Sequence, residues 1–90
     1  MVLNKKNFDA VVVVEGKDDT IRLKQFFPGI ETVETNGSAV SDSVLAQLKQ
    51  LSKNRQIIVF TDPDFNGERI RRIVTNAVPN AKQAFITRKE

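Results

Sequence analysis

Two short runs of apolar residues each stop abruptly on acid. Residues 10–15 read Ala-Val-Val-Val-Val-Glu before Gly16, and residues 56–61 read Gln-Ile-Ile-Val-Phe-Thr before Asp62-Pro63-Asp64. A strand with one face in water alternates apolar and polar side chains, whereas an unbroken β-branched run suits a strand covered on both faces, as in the middle of a parallel sheet. Both runs are therefore predicted to be central strands, and the rest of the chain must supply helices to cover them.

The intervening sequence does so. Asp18 and Asp19 are good helix starters, and residues 20–27 place Leu23, Phe26 and Phe27 on one side, with Ile21 off that stripe and Pro28-Gly29 as the stop. Residues 30–35 form a shorter, more polar strand ending in Asn36-Gly37, suited to an edge. A second helix over 41–52 carries Val44, Leu45, Leu48 and Leu51 on one face, with Ser41 as its N-cap. After Gly67 a third helix turns Ile70, Ile73, Val74, Ala77 and Val78 to one side and ends at Pro79-Asn80, and residues 83–86 make a last strand.

The order β-α-β-α-β-α-β predicts an α/β, Rossmann-like fold: a four-stranded, mainly parallel sheet flanked by three helices, with right-handed crossovers. Ninety residues suffice for one such domain and not for two, so residues 1–90 are expected to be a single domain. In open sheets of this kind ligands collect beyond the carboxyl ends of the strands, where the strand order reverses.

Composition narrows the chemistry. The chain has no Cys and no His, which excludes a Cys/His zinc site, a Ser-His-Asp triad, a Cys-His pair and a disulfide framework. Any metal must be held by oxygen, which points to Mg²⁺, with Mn²⁺ as a substitute. The absence of Tyr removes a tyrosine nucleophile and leaves hydrolysis by water open. The net charge of +3 is unevenly spread: residues 1–67 carry eight basic and nine acidic side chains, while residues 68–90 carry six and two. That C-terminal excess, from Arg69, Arg71, Arg72, Lys82, Arg88 and Lys89, suits a polyanion such as nucleic acid, or else a solubilising face. The longest apolar run is too short to span a membrane, and the basic start at Lys5 and Lys6 has no long apolar stretch or cleavage site. The expected location is cytoplasmic, with no membrane partner.

If the two central strands are neighbours, as in a 2-1-3-4 order, Glu15, Asp62 and Asp64 converge on one rim. Like charges held together repel unless a cation neutralises them, so a divalent metal explains the set, against the alternative that each acid merely caps a helix. Pro63 fixes φ and helps splay Asp62 and Asp64 to one side, and Gly16 and Gly67 would let backbone approach a phosphate. Asp18 and Asp19 fit caps better than ligands. Glu68 suits the positive end of the third helix and pairing with Arg72 at i+4. Lys17 and the backbone of the 35–38 turn are candidate phosphate contacts, set against a solvated lysine and a plain β-to-α turn.

A hydrophobic strand ending in Glu-Gly, followed by a second ending in Asp-x-Asp-x-x-Gly-Glu, resembles the Toprim domain shared by topoisomerases, primases, recombination proteins and some nucleases. The strings VVEGKDD (13–19), ETNGSA (34–39), TDPDFNGERIRR (61–72) and AVPNAKQAFI (77–86) more narrowly resemble the N-terminal domain of the ribonuclease M five family. The resemblance implies that Glu15, Asp62 and Asp64 are the catalytic and metal-holding residues. It also implies Mg²⁺-dependent endonuclease action on double-stranded parts of a 5S ribosomal RNA precursor, assisted by the ribosomal protein that binds that RNA. Asn66 stands where many topoisomerase-like members have a third acid and this nuclease family often has Pro, which weakens the case for a second tightly held metal; Gln83 replaces a frequent His. The family enzyme continues into a C-terminal domain that this chain, stopping at Glu90, is expected to lack.

On this reading Glu15 is a metal ligand or general acid/base for in-line attack of water on a phosphodiester, and Lys17, Arg69, Arg72 and Arg88 are the candidate nucleic-acid contacts. Two rivals stand beside it. One is a nucleic-acid-binding Toprim module without autonomous catalysis. The other is a receiver domain phosphorylated on Asp62, for which Lys82 is poorly placed.

Overall fold

The computed structural model describes residues 10–37 and 39–85. The first valine run forms β1 (Ala10–Val14), with all four valines buried. It is followed by α1 (Lys17–Phe26), β2 (Glu31–Glu34), α2 (Asp42–Leu51), β3 (Gln56–Thr61), α3 (Phe65–Ala77) and β4 (Lys82–Phe85). The strands pair in the order β2-β1-β3-β4, every neighbouring pair parallel, with Val13 opposite Val33 on one side and Val59 on the other. The two β-branched runs are thus the central pair and the polar β2 lies at an edge, as their sequences require.

Alternation along the central strands divides the core in two. Val11, Val13, Val33, Ile57 and Val59 face α2 and α3, which contribute Leu48, Ile70 and Val74, with Val78 just after α3. Val12, Val14 and Ile30 face the opposite way, where Leu23 of α1, Phe27, Ile58 and Phe60 pack against them. Burying each such valine or isoleucine contributes about 1.5–3 kcal/mol, so the sheet interior is the main source of stability.

Some boundaries and faces differ from expectation. α1 starts at Lys17 because Gly16 is its N-cap, and the Gly16 N–H donates to Asp19 Oδ2 at 3.2 Å, so the first acids sit inside the helix. Phe26, expected on the buried stripe, is 72% exposed, and Ile21 is 49% exposed. The apolar contact with the sheet is made by Leu23 and by the capping Phe27, where the backbone leaves the helical conformation, while the Thr20 hydroxyl donates to Glu34 of β2. α3 begins at Phe65 rather than after Gly67. β4 begins at Lys82, and Ile86, at its expected end, lies outside the described residues. No helix among the described residues is long and apolar enough to cross a membrane.

Candidate functional site

From β1 the chain crosses by α1 to β2 on one side, whereas β3 lies on the other, so the carboxyl ends of β1 and β3 flank the reversal of strand order. The Val13–Val59 pairing sets the levels: Glu15 is two residues beyond Val13, and Asp62 is three beyond Val59. Both therefore leave the sheet at the same lip.

The turn after β3 is held from beneath. Arg71 is 3% exposed, and its Nη2 donates to the Thr61 carbonyl at 3.0 Å and to Thr61 Oγ1 at 2.8 Å, while Nη1 donates to the Ala84 carbonyl at 3.3 Å. One guanidinium thus ties α3 to the ends of β3 and β4, immediately before Asp62. The Thr61 hydroxyl in turn donates to the Gly67 carbonyl at 3.3 Å. Glu68 Oε2 lies 3.9 Å from Arg71 Nε, so its partner is the i+3 arginine and not Arg72 as expected.

Asp64 is the N-cap of α3: its Oδ1 accepts from the Gly67 N–H at 2.7 Å, and its carbonyl accepts from the Glu68 N–H at 2.9 Å. The side-chain bond satisfies a donor that the first turn of any helix leaves without a partner, and the carbonyl bond is the first of the helix itself. Gly67 is required by a close approach: an added Cβ would stand 1.9 Å from the Asp62 carbonyl oxygen. The missing side chain makes room for the protein's own Asp62 carbonyl, not for a phosphate as the sequence suggested. At Gly16, by contrast, a Cβ would meet nothing within 4 Å.

Glu15 is half-buried, and its carbonyl accepts from the Asn36 N–H at 2.7 Å, which fastens the end of β1 to the turn after β2. That turn needs left-handed backbone at Asn36 (φ 60°) and Gly37 (φ 128°), and the Thr35 hydroxyl donates to the Gly37 carbonyl at 2.7 Å. Glu15 opens onto a shallow depression of about 530 Å³ that is also lined by Lys17, Asp18, Arg22 and Asn36. Asp62 and Asp64 do not line it.

The lip therefore has two parts, Glu15 over the depression and the Asp62-Pro63-Asp64 turn at the head of α3. Among the described residues no three carboxylates stand close enough together to grip an ion. One Asp64 oxygen, moreover, already serves the helix. The donor set nevertheless fits Mg²⁺, because that ion keeps several waters and takes one or two carboxylates together with substrate phosphates, where zinc would want His or Cys.

Of the candidate cationic contacts, Lys17 is exposed at the first position of α1, and Arg69 and Arg72 are exposed on α3. Arg88 lies outside the described residues, as does Ser38 in the turn after β2. Arg71, counted with the basic surface from sequence, belongs to the interior. Its position gave a signal: Gly67, Ile70, Arg71 and Val74 all fall on the buried stripe of α3. A cation on such a stripe must find oxygen partners inside.

The sequence matches the Toprim domain family over residues 10–89. The chain belongs to the Toprim domain family. This Toprim chain is 55% identical over 89 residues to Ribonuclease M5 of Lactococcus lactis, covering 99% of the chain and 43% of that protein. Against Ribonuclease M5 of Lactiplantibacillus plantarum it is 56% identical over 84 residues, covering 93% of the chain and 44% of the relative. For Ribonuclease M5 of Bacillus subtilis the figures are 49% over 76 residues, 84% and 40%. The chain thus spans less than half the length of these curated relatives. Among solved structures, a small TOPRIM domain protein from Bacillus stearothermophilus superposes with a TM-score of 0.70 at 29% identity, covering 91% of this chain and 70% of that one. The Toprim fold is therefore supported by sequence and by shape.

Proposed function

We propose that this chain is the catalytic Toprim domain, residues 1–90, of a cytoplasmic, Mg²⁺-dependent endoribonuclease that cleaves double-stranded regions of precursor 5S ribosomal RNA. The observation that carries the reading is the shared lip, where Glu15 and Asp62 leave adjacent parallel strands at the switch point and Asp64 follows on a turn braced by Arg71. The similarity to Ribonuclease M5 proteins supports RNA as the substrate class. A 5S-RNA-binding ribosomal protein is the proposed assisting partner.

Glu15, Asp62 and Asp64 would hold the cation partly through its own waters, since they are too far apart for all three to bind it directly, with Mn²⁺ able to replace Mg²⁺. When bound, the ion supplies charge neutralisation at the phosphate and at the leaving oxygen. Asp62 is the carboxylate best placed to orient the site, because its backbone is clamped between the Thr61–Arg71 bonds and Gly67. Asp64 uses Oδ1 for the helix cap and keeps Oδ2 for the site, so the cap fixes where that second oxygen points. A Glu15 carboxylate oxygen accepts the proton of the attacking water or returns one to the leaving oxygen, at the mouth of an open depression that admits solvent. Lys17, Arg69, Arg72 and Arg88 contact phosphates and position the duplex without reading its sequence.

The separation of the carboxylates favours a second reading, a binding module that retains RNA without cutting it. One experiment decides between them. Precursor 5S RNA is incubated with the chain and Mg²⁺, with and without EDTA and the ribosomal protein. Discrete cuts that vanish in EDTA and in Asp62→Asn support the nuclease; retention without cuts supports the module; neither cutting nor retention overturns both.

A further inference from the structure

One face of α3 is accounted for by the core and the opposite face is not. With 3.6 residues per turn, Gly67, Ile70, Arg71 and Val74 fall within an arc of about 100°, and all are buried. Phe65, Arg69 and Arg72 fall within about 60° of one another on the other side of the helix, and all are exposed. Phe65 is 83% exposed, the most open of the large apolar side chains among the described residues. A lone exposed apolar side chain is ordinary on a protein surface. This one is placed otherwise. It is the first residue of α3, next to the capping Asp64, and it heads a row whose next two members are arginines.

The row has direction. Arg72, Arg69 and Phe65 climb about 10 Å along α3 toward the Asp62-Pro63-Asp64 turn, so a strand laid along them reaches the acidic lip at the aromatic end. The arginines offer charge to phosphates, and a ring offers its face to a base. Glu68, the acid of this segment, lies about 40° outside the row, between Arg72 and the side of the helix that carries Arg71. Basic residues interleaved with an exposed aromatic are the usual way proteins hold unstacked nucleotides. A closed A-form duplex would present backbone and groove edges here but no base face, since its base faces are hidden by stacking.

We propose that Phe65 stacks on an unpaired base next to the scissile phosphate, with Arg69 and Arg72 gripping the backbone that leads to it, so that this surface selects RNA in which a base at the cleavage point is bulged or frayed. The proposal rests on the nuclease reading above and refines its substrate. It assigns Phe65 a role in choosing where along a duplex the lip engages.

The chain contains no Trp and no Tyr, so Phe65→Trp introduces the molecule's sole indole at the point in question. Its emission is followed in EDTA, to prevent cutting, while three polyanions are added: a short RNA duplex with one bulged nucleotide, the same duplex fully paired, and inorganic polyphosphate. Strong quenching is expected with the bulged duplex, weak quenching with the paired one and none with polyphosphate. In parallel, Phe65→Leu, which keeps an apolar side chain but no ring, binds the bulged duplex about tenfold more weakly and the paired duplex unchanged. Equal affinity of Phe65→Leu and the parent for the bulged duplex, or an indole silent while RNA is bound, overturns the assignment and leaves the nuclease reading standing. A concentration-dependent blue shift without RNA, marking self-association through this face, also overturns it. Failure of the unmodified chain to bind any of the RNAs removes the nuclease reading, and this proposal with it.

Discussion

Replacing Gly67 by alanine places a methyl carbon where the Asp62 carbonyl oxygen stands. The ideal Cβ lies 1.9 Å from that oxygen, 3.0 Å from the Asp62 carbonyl carbon and 3.2 Å from Asp64 Oδ1. Since contacts under 3.0 Å are essentially never seen, the oxygen and the helix must part by more than 1 Å. The obstacle is backbone, which cannot swing aside like the tip of a lysine. Separation also pulls on the 2.7 Å bond from Gly67 N–H to Asp64 Oδ1. Two effects oppose each other. Alanine is better than glycine inside a helix by about 1 kcal/mol. Overpacking costs about 1–3 kcal/mol and a weakened cap about another 1 kcal/mol. The clash wins, and net destabilisation of about 2 kcal/mol is expected, which lowers the melting temperature by about 10 °C in a domain of this size. Urea unfolding should show a reduced midpoint at unchanged slope. Gly16→Ala is the control: with open space around the new methyl it should cost under about 1 kcal/mol. A Gly67→Ala protein as stable as its parent, or more stable, would refute the close approach and with it the claim that this glycine fixes Asp62.

Other outcomes follow from the same geometry. Arg71→Met should lower stability by about 2–4 kcal/mol in urea unfolding, because the buried Thr61 carbonyl and the part-buried Ala84 carbonyl lose the guanidinium. Asp64→Asn retains a capping oxygen and should stay within about 0.5 kcal/mol of the parent, whereas Asp64→Ala should lose about 1–2 kcal/mol; both are expected to weaken Mg²⁺ binding in a calorimetric titration, so cap and ligand roles separate. Phe26→Ser should change thermal stability by less than about 0.5 kcal/mol, the value for a surface site, in contrast to a loss of several kcal/mol for Phe27→Ala.

The strands and their order were legible because burial on two faces leaves an unmistakable mark: the valine run and Gln56–Thr61 have too few polar positions to lie at an edge, and the polar β2 has too many to lie inside. Phe26 and Phe27 were not separable by periodicity, since the helix ends between them and the capping residue leaves the helical path. Asp64 suits both cap and ligand in the sequence; the cap is what the geometry shows, through Oδ1, and the ligand role is a proposal for Oδ2. The role of Gly67 depends on a carbonyl five residues earlier in the chain, a distance in space that a one-dimensional pattern does not carry. Arg71 was hidden among its neighbours Arg69 and Arg72, although its place on the apolar stripe marked it as different.

The most direct test of the central claim, that Glu15 and the Asp62-Pro63-Asp64 turn serve a single cation, uses Mn²⁺ as a paramagnetic probe. Substoichiometric Mn²⁺ is added to the isotopically labelled chain, and broadening of each amide signal is recorded. The account predicts that amide signals of residues 15–16 and of 62 and 64–67 broaden together, and that Glu15→Gln or Asp62→Asn diminishes both groups at once. Broadening confined to one group, or two groups that respond independently to these substitutions, would contradict it.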